Sequence, residues 1–388
     1  MIIGIDASNI RRGGGVTHLI ELLRFADPSP QGFSKVVLWS GKTTLNQVPD
    51  RSWLIKEYLP VLDSSILRRG LWQKYQLSNH AHLHHCDVLF VPGGSYAGDF
   101  QPTVAMSQNL LPFEWKELAR YGWSLMKLKL LLLRLTQSHT FTSTDGVIFL
   151  THYAKSTVEK VTGPLPHTTI IPHGINQRFL MSPRPQKPIE SYTAEQPFRL
   201  LYVSIIDQYK HQWHLVDAIA RLRRQTDWHL ALDLVGPAYP PALRRLKTCL
   251  EQHDPQKNWV HYRGAIPFDQ LHGIYQQANL GIFASSCENM PIILLETMAT
   301  GLPVACSNCG PMPEMLGDAG VYFDPENPQD IATAVKRLIA SPDLRTQLAT
   351  VSFASAHQYT WKRCAEETFA FLAGMHRRYS QKNKACEP

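Results

Sequence analysis

No apolar run in this 388-residue chain is long enough to cross a bilayer, which takes about 20 residues. The longest, Leu128 to Leu135, is interrupted by Lys129 and Arg134. The opening, MIIGIDASNI, has no basic stretch followed by a long apolar core, so no secretory leader is expected and a cytoplasmic location is. Cysteines number 7 at irregular spacing, an odd set that fits reduced thiols better than a disulfide framework. Cys306 and Cys309 form the one close pair, and no second pair of ligands stands beside it to complete a zinc site. The GxGxxG fingerprint of dinucleotide-binding domains is missing. So is any pair of aspartates two positions apart. No basic run with interleaved aromatics appears, which argues against nucleic acid as a partner.

What is present is an ordinary globular composition, 44% hydrophobic and 18% charged, which excludes a disordered chain. The net charge of +7 is uneven: residues 1–196 hold 20 Lys and Arg against 14 Asp and Glu, and residues 197–388 hold 19 against 18. A basic first half suggests an anionic partner there. Short β-branched or apolar runs bounded by turn residues alternate with helical stretches. In the first half these are MIIGIDAS, KVVLWS, DVLFVPG, TVAMSQ, GVIFLT and TTIIPHGI. After a proline-rich, aperiodic stretch, SPRPQKPIESYTAEQP, the alternation restarts with FRLLYVSII, HLALDLVG, NWVHYRG, LGIFAS, PVACS and VYFD. Strands of this kind, interleaved with helices, predict two doubly wound α/β domains with parallel sheets. The boundaries expected are 1–180, a linker at 181–198, 199–360, and a final helix in 361–388.

Open parallel sheets bind ligands at the carboxyl ends of their strands. Four loops there stand out. Gly13-Gly14-Gly15 precedes the first helix, where bare backbone amides can approach an anion. Lys210, in YVSIIDQYKH, follows the first strand of the second half and can neutralise a phosphate. In CENMPIILLE, Glu288 and Glu296 flank a helix start signalled by Pro291. Eight helical positions rise about 12 Å, too far for two carboxylates acting on one bond, so they should hold different parts of one long ligand. The helix start between them is an anion site. The fourth loop, ETMATGLPVACSNCGPMPE, steps from a helix through Gly301 to a buried strand.

Together GGGVTHL, IIPHGI, YVSIIDQYKH, the E-x7-E segment and TGLPV resemble the retaining GT-B glycosyltransferases of family GT4, over the whole chain and most strongly from about 200 to 340. The resemblance implies two Rossmann-like domains facing across a cleft, with a last helix that crosses back to the first. It implies a nucleoside-diphosphate sugar as donor, bound by the C-terminal domain, and a glycan or glycolipid acceptor on the N-terminal one. Lys210 then matches the lysine on the donor diphosphate, Glu288 the glutamate on the donor sugar, and Glu296 the glutamate on the ribose. Asn289, Met290 and Ile292 fall where backbone amides meet the donor. Gly14 and Gly15 match the loop that closes on the phosphates.

The chain departs from the family in places. Ile205 stands where an arginine is usual, Gln108-Asn109 where many members carry His-Asp, and His173 where an asparagine precedes the linker glycine. An amide cannot titrate, so a general base at 108–109 is not expected. With no DxD pair, no metal or other cofactor is expected. The leaving-group charge would fall to Lys210 and helix amides, with Arg11, Arg12 and Arg263 as further cations to consider. His18, beside the glycine loop, is a candidate to face the acceptor, as are Gln108, Asn109 and His173. Segment 123–137, WSLMKLKLLLLRLTQ, is the candidate for peripheral membrane contact; a partly buried helix is the competing reading. Residues His80, His82, His84 and His85 read as a polar connection rather than a metal site. The expected role is transfer of a sugar to an acceptor hydroxyl in bacterial polysaccharide, lipopolysaccharide or glycolipid assembly. A nucleotide-sugar 2-epimerase and a non-catalytic nucleotide-sugar-binding protein are the alternatives; the epimerase needs titrating groups that Gln108 and Asn109 do not supply.

Overall fold

The computed structural model describes residues 1–11 and 13–386. Arg12, and the last two positions of the expected 361–388 segment, lie outside the described residues. The chain divides into two compact units. The first comprises Met1–Leu118, Gly122–Gly174 and the chain from Thr360 on; the second comprises Ala119–Tyr121 and Ile175–Tyr359.

The first unit is built on a parallel sheet of seven strands: β1 (Ile2–Asp6), β2 (Lys35–Trp39), β3 (Leu54–Glu57), β4 (Val88–Val91), β5 (Thr103–Met106), β6 (Gly146–Phe149) and β7 (Thr168–Ile170). Their order is β3-β2-β1-β4-β5-β6-β7. Central strands such as VLFV and GVIF are buried at every position, which is why they read as continuous apolar runs. The sequence signal missed β3. It is an edge strand, half-buried throughout, and its Lys56 and Glu57 hide the apolar pattern. The helix Trp361–Cys386 belongs to this unit, where it packs on helix Gly14–Phe25 and on β4.

The second unit carries six parallel strands: β8 (Phe198–Val203), β9 (Leu230–Val235), β10 (Val260–Tyr262), β11 (Leu280–Phe283), β12 (Val304–Ser307) and β13 (Val321–Phe323). The order β10-β9-β8-β11-β12-β13 reverses between β8 and β11. Chain leaving β8 goes to one side and chain leaving β11 to the other, so a crevice opens at their carboxyl ends. Helix Ile292–Ala299 sits tight against β11. A Cβ at Gly281 would lie 2.1 Å from Thr297 Cγ2, so glycine is what permits that approach.

The stretch expected to be a linker is instead a fixed strap on the second unit. Met181 N–H donates to the Ala299 carbonyl at 2.9 Å, and the Arg184 guanidinium donates to the carbonyls of Gln276 and Ala278. Arg345, fully buried, donates to Gln186 Oε1 at 3.1 Å, to the carbonyl of Lys187 and to that of Leu338 at 2.8 Å. With no regular element of its own, the strap has its carbonyls met by side-chain donors such as Arg345. Arg345→Met should therefore cost on the order of 3 kcal/mol, because a buried hydrogen-bonding cation is lost and carbonyls are left without donors. Urea unfolding measures this, and limited digestion with a glutamate-specific protease should cut the variant after Glu190 or Glu195 while sparing the parent. Equal protection of the two proteins would show that Arg345 does not hold the strap.

Candidate active site

The two loops that leave the reversal point of the second sheet carry the charged groups singled out by sequence. After β8 the chain runs through Asp207 and Tyr209 to Lys210, then enters helix Gln212–Gln225 through His211, whose φ of 53° is left-handed. After β11 it runs through Ser285 and Ser286 to Glu288. The loops are tied together: Ser286 N–H donates to the Tyr209 carbonyl at 2.9 Å, and His211 Nε2 lies 2.8 Å from Ser286 Oγ. Burial pushes the His211 imidazole down to about 3, so it is neutral at that contact.

The result is an ion pair between Lys210 and Glu288. The lysine side chain is 4% exposed and the glutamate's 15%. The ammonium also lies over the Tyr209 ring at 4.8 Å and faces the Phe283 ring at 5.5 Å. A compact cation in so apolar a setting is held by its one carboxylate and by ring faces. Asp207 stands nearby with its carboxyl raised by burial; it accepts from the Gln208 N–H at 2.7 Å and from the Tyr121 hydroxyl at 2.9 Å. Burial and the Asp207 charge push the Tyr121 hydroxyl far up. Tyr121 reaches this unit from the middle of the first unit's sequence, in Ala119–Tyr121. No local pattern announces it, and sequence reasoning missed both residues.

Helix Ile292–Ala299 begins after Pro291 with no side-chain cap and no acidic residue in its first turn. Its first amides therefore have no partner within the helix, and the positive end is left without a counter-charge of its own. Asn289 and Met290 are buried just before it, and Ile292 is half-buried. Glu296, one turn on, is 3% exposed and accepts from the Tyr275 hydroxyl at 3.2 Å. Burial pushes its carboxyl up to about 8, against the opposing pull of the Tyr275 hydrogen bond and the Arg178 charge. It is thus an acid that stays protonated at neutral pH. Tyr275 and Arg178 are its neighbours, and neither was picked out by sequence.

The remaining candidates belong to the first unit. The glycine loop is shorter than expected: Gly13, with φ 71°, precedes the helix, and Gly14 and Gly15 are its first two residues. This helix too lacks a side-chain cap and first-turn acids. A Cβ at Gly15 would lie 3.1 Å from Gln108 Oε1, so the glycine makes room for the amide that follows β5. Asn109 is exposed, with its Oδ1 accepting from Leu111 N–H at 3.2 Å.

His18 and His173 lie differently from expectation. They are 0% and 4% exposed, 2.9 Å apart through their Nδ1 atoms, and packed against Trp361 at ring distances of 5.8 and 5.7 Å. His18 is pushed down to about 3 and His173 well below its ordinary value, both chiefly by burial. They are neutral groups of the first unit's core, covered by Trp361 of the C-terminal helix. Neither is open to an acceptor in this structure.

The other cations considered are engaged: Arg11 with Asp63 at 2.9 Å, Arg263 with Asp233 at 2.8 Å. Ile205 is half-buried, and its carbonyl accepts from Gln212 Nε2 at 2.9 Å. The histidine cluster disperses onto separate partners, His80 on Trp72, His82 on Phe100 and His84 on Trp39. Among the described residues no three His, Cys, Asp or Glu side chains gather for a metal ion.

Comparison with known proteins bears on the same half of the chain. Residues 184–352 match the family model described as glycosyl transferases group 1. The chain is 27% identical to the O-antigen chain mannosyltransferase B of Escherichia coli over 190 residues, 47% of this chain and 49% of that protein. It is 26% identical over 269 residues to a GDP-mannose-dependent alpha-(1-6)-phosphatidylinositol monomannoside mannosyltransferase of Mycobacterium tuberculosis, 65% of this chain and 67% of that one. The chain thus spans about half the length of the first relative. Among solved structures it resembles the sucrose-phosphate synthase of Thermosynechococcus elongatus, with a TM-score of 0.72, 18% identity, and coverage of 99% of this chain and 100% of that one. The chain has the two Rossmann-like parallel-sheet domains of the GT-B fold, and residues 184–352, which lie within the second of them, are those that match the glycosyl transferases group 1 family.

Proposed function

We propose that the chain is a retaining glycosyltransferase that moves a sugar from a nucleoside-diphosphate sugar to an acceptor hydroxyl, in the assembly of a polysaccharide, lipopolysaccharide or glycolipid, without a metal ion. The observation that carries this reading is the Lys210–Glu288 pair at the reversal point of the second sheet, beside an uncapped helix start. Without donor, the two charges satisfy each other. A nucleotide sugar offers each a better-matched partner: the diphosphate takes the ammonium and the helix amides, and the sugar hydroxyls take the carboxylate. As the glycosidic bond to the diphosphate breaks, negative charge grows where Lys210 and those amides already point. Preorganised charge of that kind lowers a barrier most, by roughly 3 kcal/mol for one donor. Glu296, as a neutral acid, can both donate to and accept from a ribose hydroxyl. The mannosyltransferase relatives make GDP-mannose the first donor to test. On the first unit, Gly14, Gly15, Gln108 and Asn109 remain the residues proposed to meet phosphate and acceptor.

The same reading includes contact of the first unit with an anionic membrane surface. Helix Leu125–Ser143 buries only Leu130, Gln137, Thr140 and Phe141. Leu125, Leu128, Leu132 and Leu135 are 55 to 87% exposed at spacings that share a face, and Trp123 before them is fully exposed, with Lys127 Nζ 5.5 Å from its ring centroid. Among the described residues no helix is long and apolar enough to cross a membrane. An apolar stripe flanked by lysines is the arrangement that lies in an interface.

Lys210→Ala should lower turnover with GDP-mannose about 100-fold or more. It also strands Glu288, so the variant should be less stable. Adding Glu288→Gln should restore stability and leave turnover low. A Lys210→Ala enzyme that keeps a tenth of parental turnover would remove the lysine from the mechanism. Retention is read from the anomeric configuration of the product by NMR, and metal independence from undiminished turnover in EDTA.

Glu296 gives a pH signature. Its carboxyl binds a proton more tightly folded, at about 8, than unfolded, near 4.5. Its contribution is therefore full below about 4.5 and is lost as pH rises through 8, with a slope on the order of 1 kcal/mol per pH unit. Glu296→Gln should flatten that part of the profile in urea unfolding between pH 5 and 8. It should also raise the donor KM more than it lowers kcat, since a ribose contact is equal in ground and transition states. Parallel pH profiles would place the titration elsewhere.

Vesicle sedimentation tests the membrane contact. The parent should bind vesicles containing phosphatidylglycerol, and Leu128→Glu with Leu132→Glu should stay in the supernatant. Equal partitioning of both proteins would exclude this face.

A further inference from the structure

Away from the proposed donor site, helices Gln212–Gln225 and Pro240–His253 run side by side on the second unit and leave an open groove of about 770 Å³ between them. That is within the size range of small-molecule sites, about 300–1,000 Å³. Its charge is one-sided. Arg221, Arg224 and Arg245 line it against the single carboxylate of Asp217. That carboxylate is already held by Arg221 through two hydrogen bonds of 3.2 and 3.0 Å, with His253 Nε2 3.7 Å away. Two guanidiniums remain without a counter-charge. Arg224 is exposed and makes no ion pair or hydrogen bond among the described residues. Arg245 lies over the Trp213 ring, 4.0 Å from its centroid, again with no carboxylate. Partial loss of water, and after it the Arg120 charge, press the Arg245 guanidinium down.

Two further observations distinguish this groove from a solvated basic face. Trp213, one of its lining residues, is 5% exposed, and its indole N–H has no acceptor in the protein. A buried donor left unpaired costs about 1–3 kcal/mol, so this wall of the groove is held at a cost. Thr248 and Gln252 add neutral hydrogen-bonding groups to the same lining. None of these residues belongs to the proposed donor site, which lies in the loops before helix Gln212–Gln225 and around Glu288.

We infer that this groove is a second ligand site for a phosphate-bearing small molecule with hydroxyl groups, such as a sugar phosphate. Arg224 and Arg245 hold the phosphate, and Thr248 and Gln252 meet the hydroxyls. Planar guanidiniums match phosphate oxygens better than ammonium groups do, and the site holds only the former.

Titration calorimetry of the full chain with glucose 6-phosphate, inorganic phosphate and glucose tests this, with the Lys210→Ala variant as background to silence the proposed diphosphate contact. Glucose 6-phosphate should bind that variant, at least threefold more tightly than phosphate, with affinity falling as salt is raised. Arg224→Glu with Arg245→Glu should weaken it tenfold or more; both side chains are exposed, and circular dichroism checks that the fold is kept. Affinity within threefold of the parent in this double variant overturns the site. So does loss of all binding in Lys210→Ala alone, which would assign the ligand to the donor site. Equal affinity for phosphate and glucose 6-phosphate overturns the hydroxyl contacts. Because the readout is binding of a sugar phosphate rather than transfer, failure here leaves the proposed transferase activity standing, and failure of that activity leaves this site standing.

Discussion

A buried lysine facing a nearly buried glutamate is the constraint around which the second unit is arranged. Removing either charge alone leaves the other unpaired and largely desolvated, which costs up to about 3–5 kcal/mol. The pair holds only because two separate loops deliver the charges to one point. That requires β8 and β11 to be neighbours, their loops to be bonded through Tyr209, Ser286 and His211, and helix Ile292–Ala299 to lie close enough on β11 that Gly281 can carry no side chain. The sheet order thus does chemical work: the reversal point is where two loops can face each other without a strand between them.

Burial then sets the protonation state of what surrounds the pair. Glu296 and Asp207 are both raised, and His211 is lowered, all by loss of water. Lys210 and Glu288 are the ones whose charges are matched to each other. A site prepared in this way has its strongest field at one place and neutral hydrogen-bonding groups around it. That suits a ligand with one charged segment and many hydroxyls, which is the chemistry of a nucleotide sugar.

The same physics explains the candidates that did not hold. His18 and His173 looked accessible because histidine next to a glycine loop is usually on a surface. The helix Trp361–Cys386, far along the chain from both, covers them and makes them a neutral core pair. The proline-rich strap looked like a linker because it is aperiodic and the residue that fixes Gln186 and Lys187 is distant in sequence. That residue is Arg345, about 150 residues later.

How much of this was legible follows from the range of each interaction. The apolar runs of the central strands, the glycine-rich helix start and the E-x7-E segment are local patterns, so the alternation of strands and helices, the α/β class and the family resemblance could be read along the chain. Strand β3 escaped because an edge strand is solvated and its charges break the pattern. The placement of Lys210 opposite Glu288, of Tyr121 on Asp207 and of Tyr275 on Glu296 joins residues 21 to 86 positions apart. No local periodicity encodes such a meeting. Sequence alone determined which groups carry the chemistry and on which elements they ride. Only the tertiary structure decided which of them are charged, because that depends on how much water the folded chain leaves around each one.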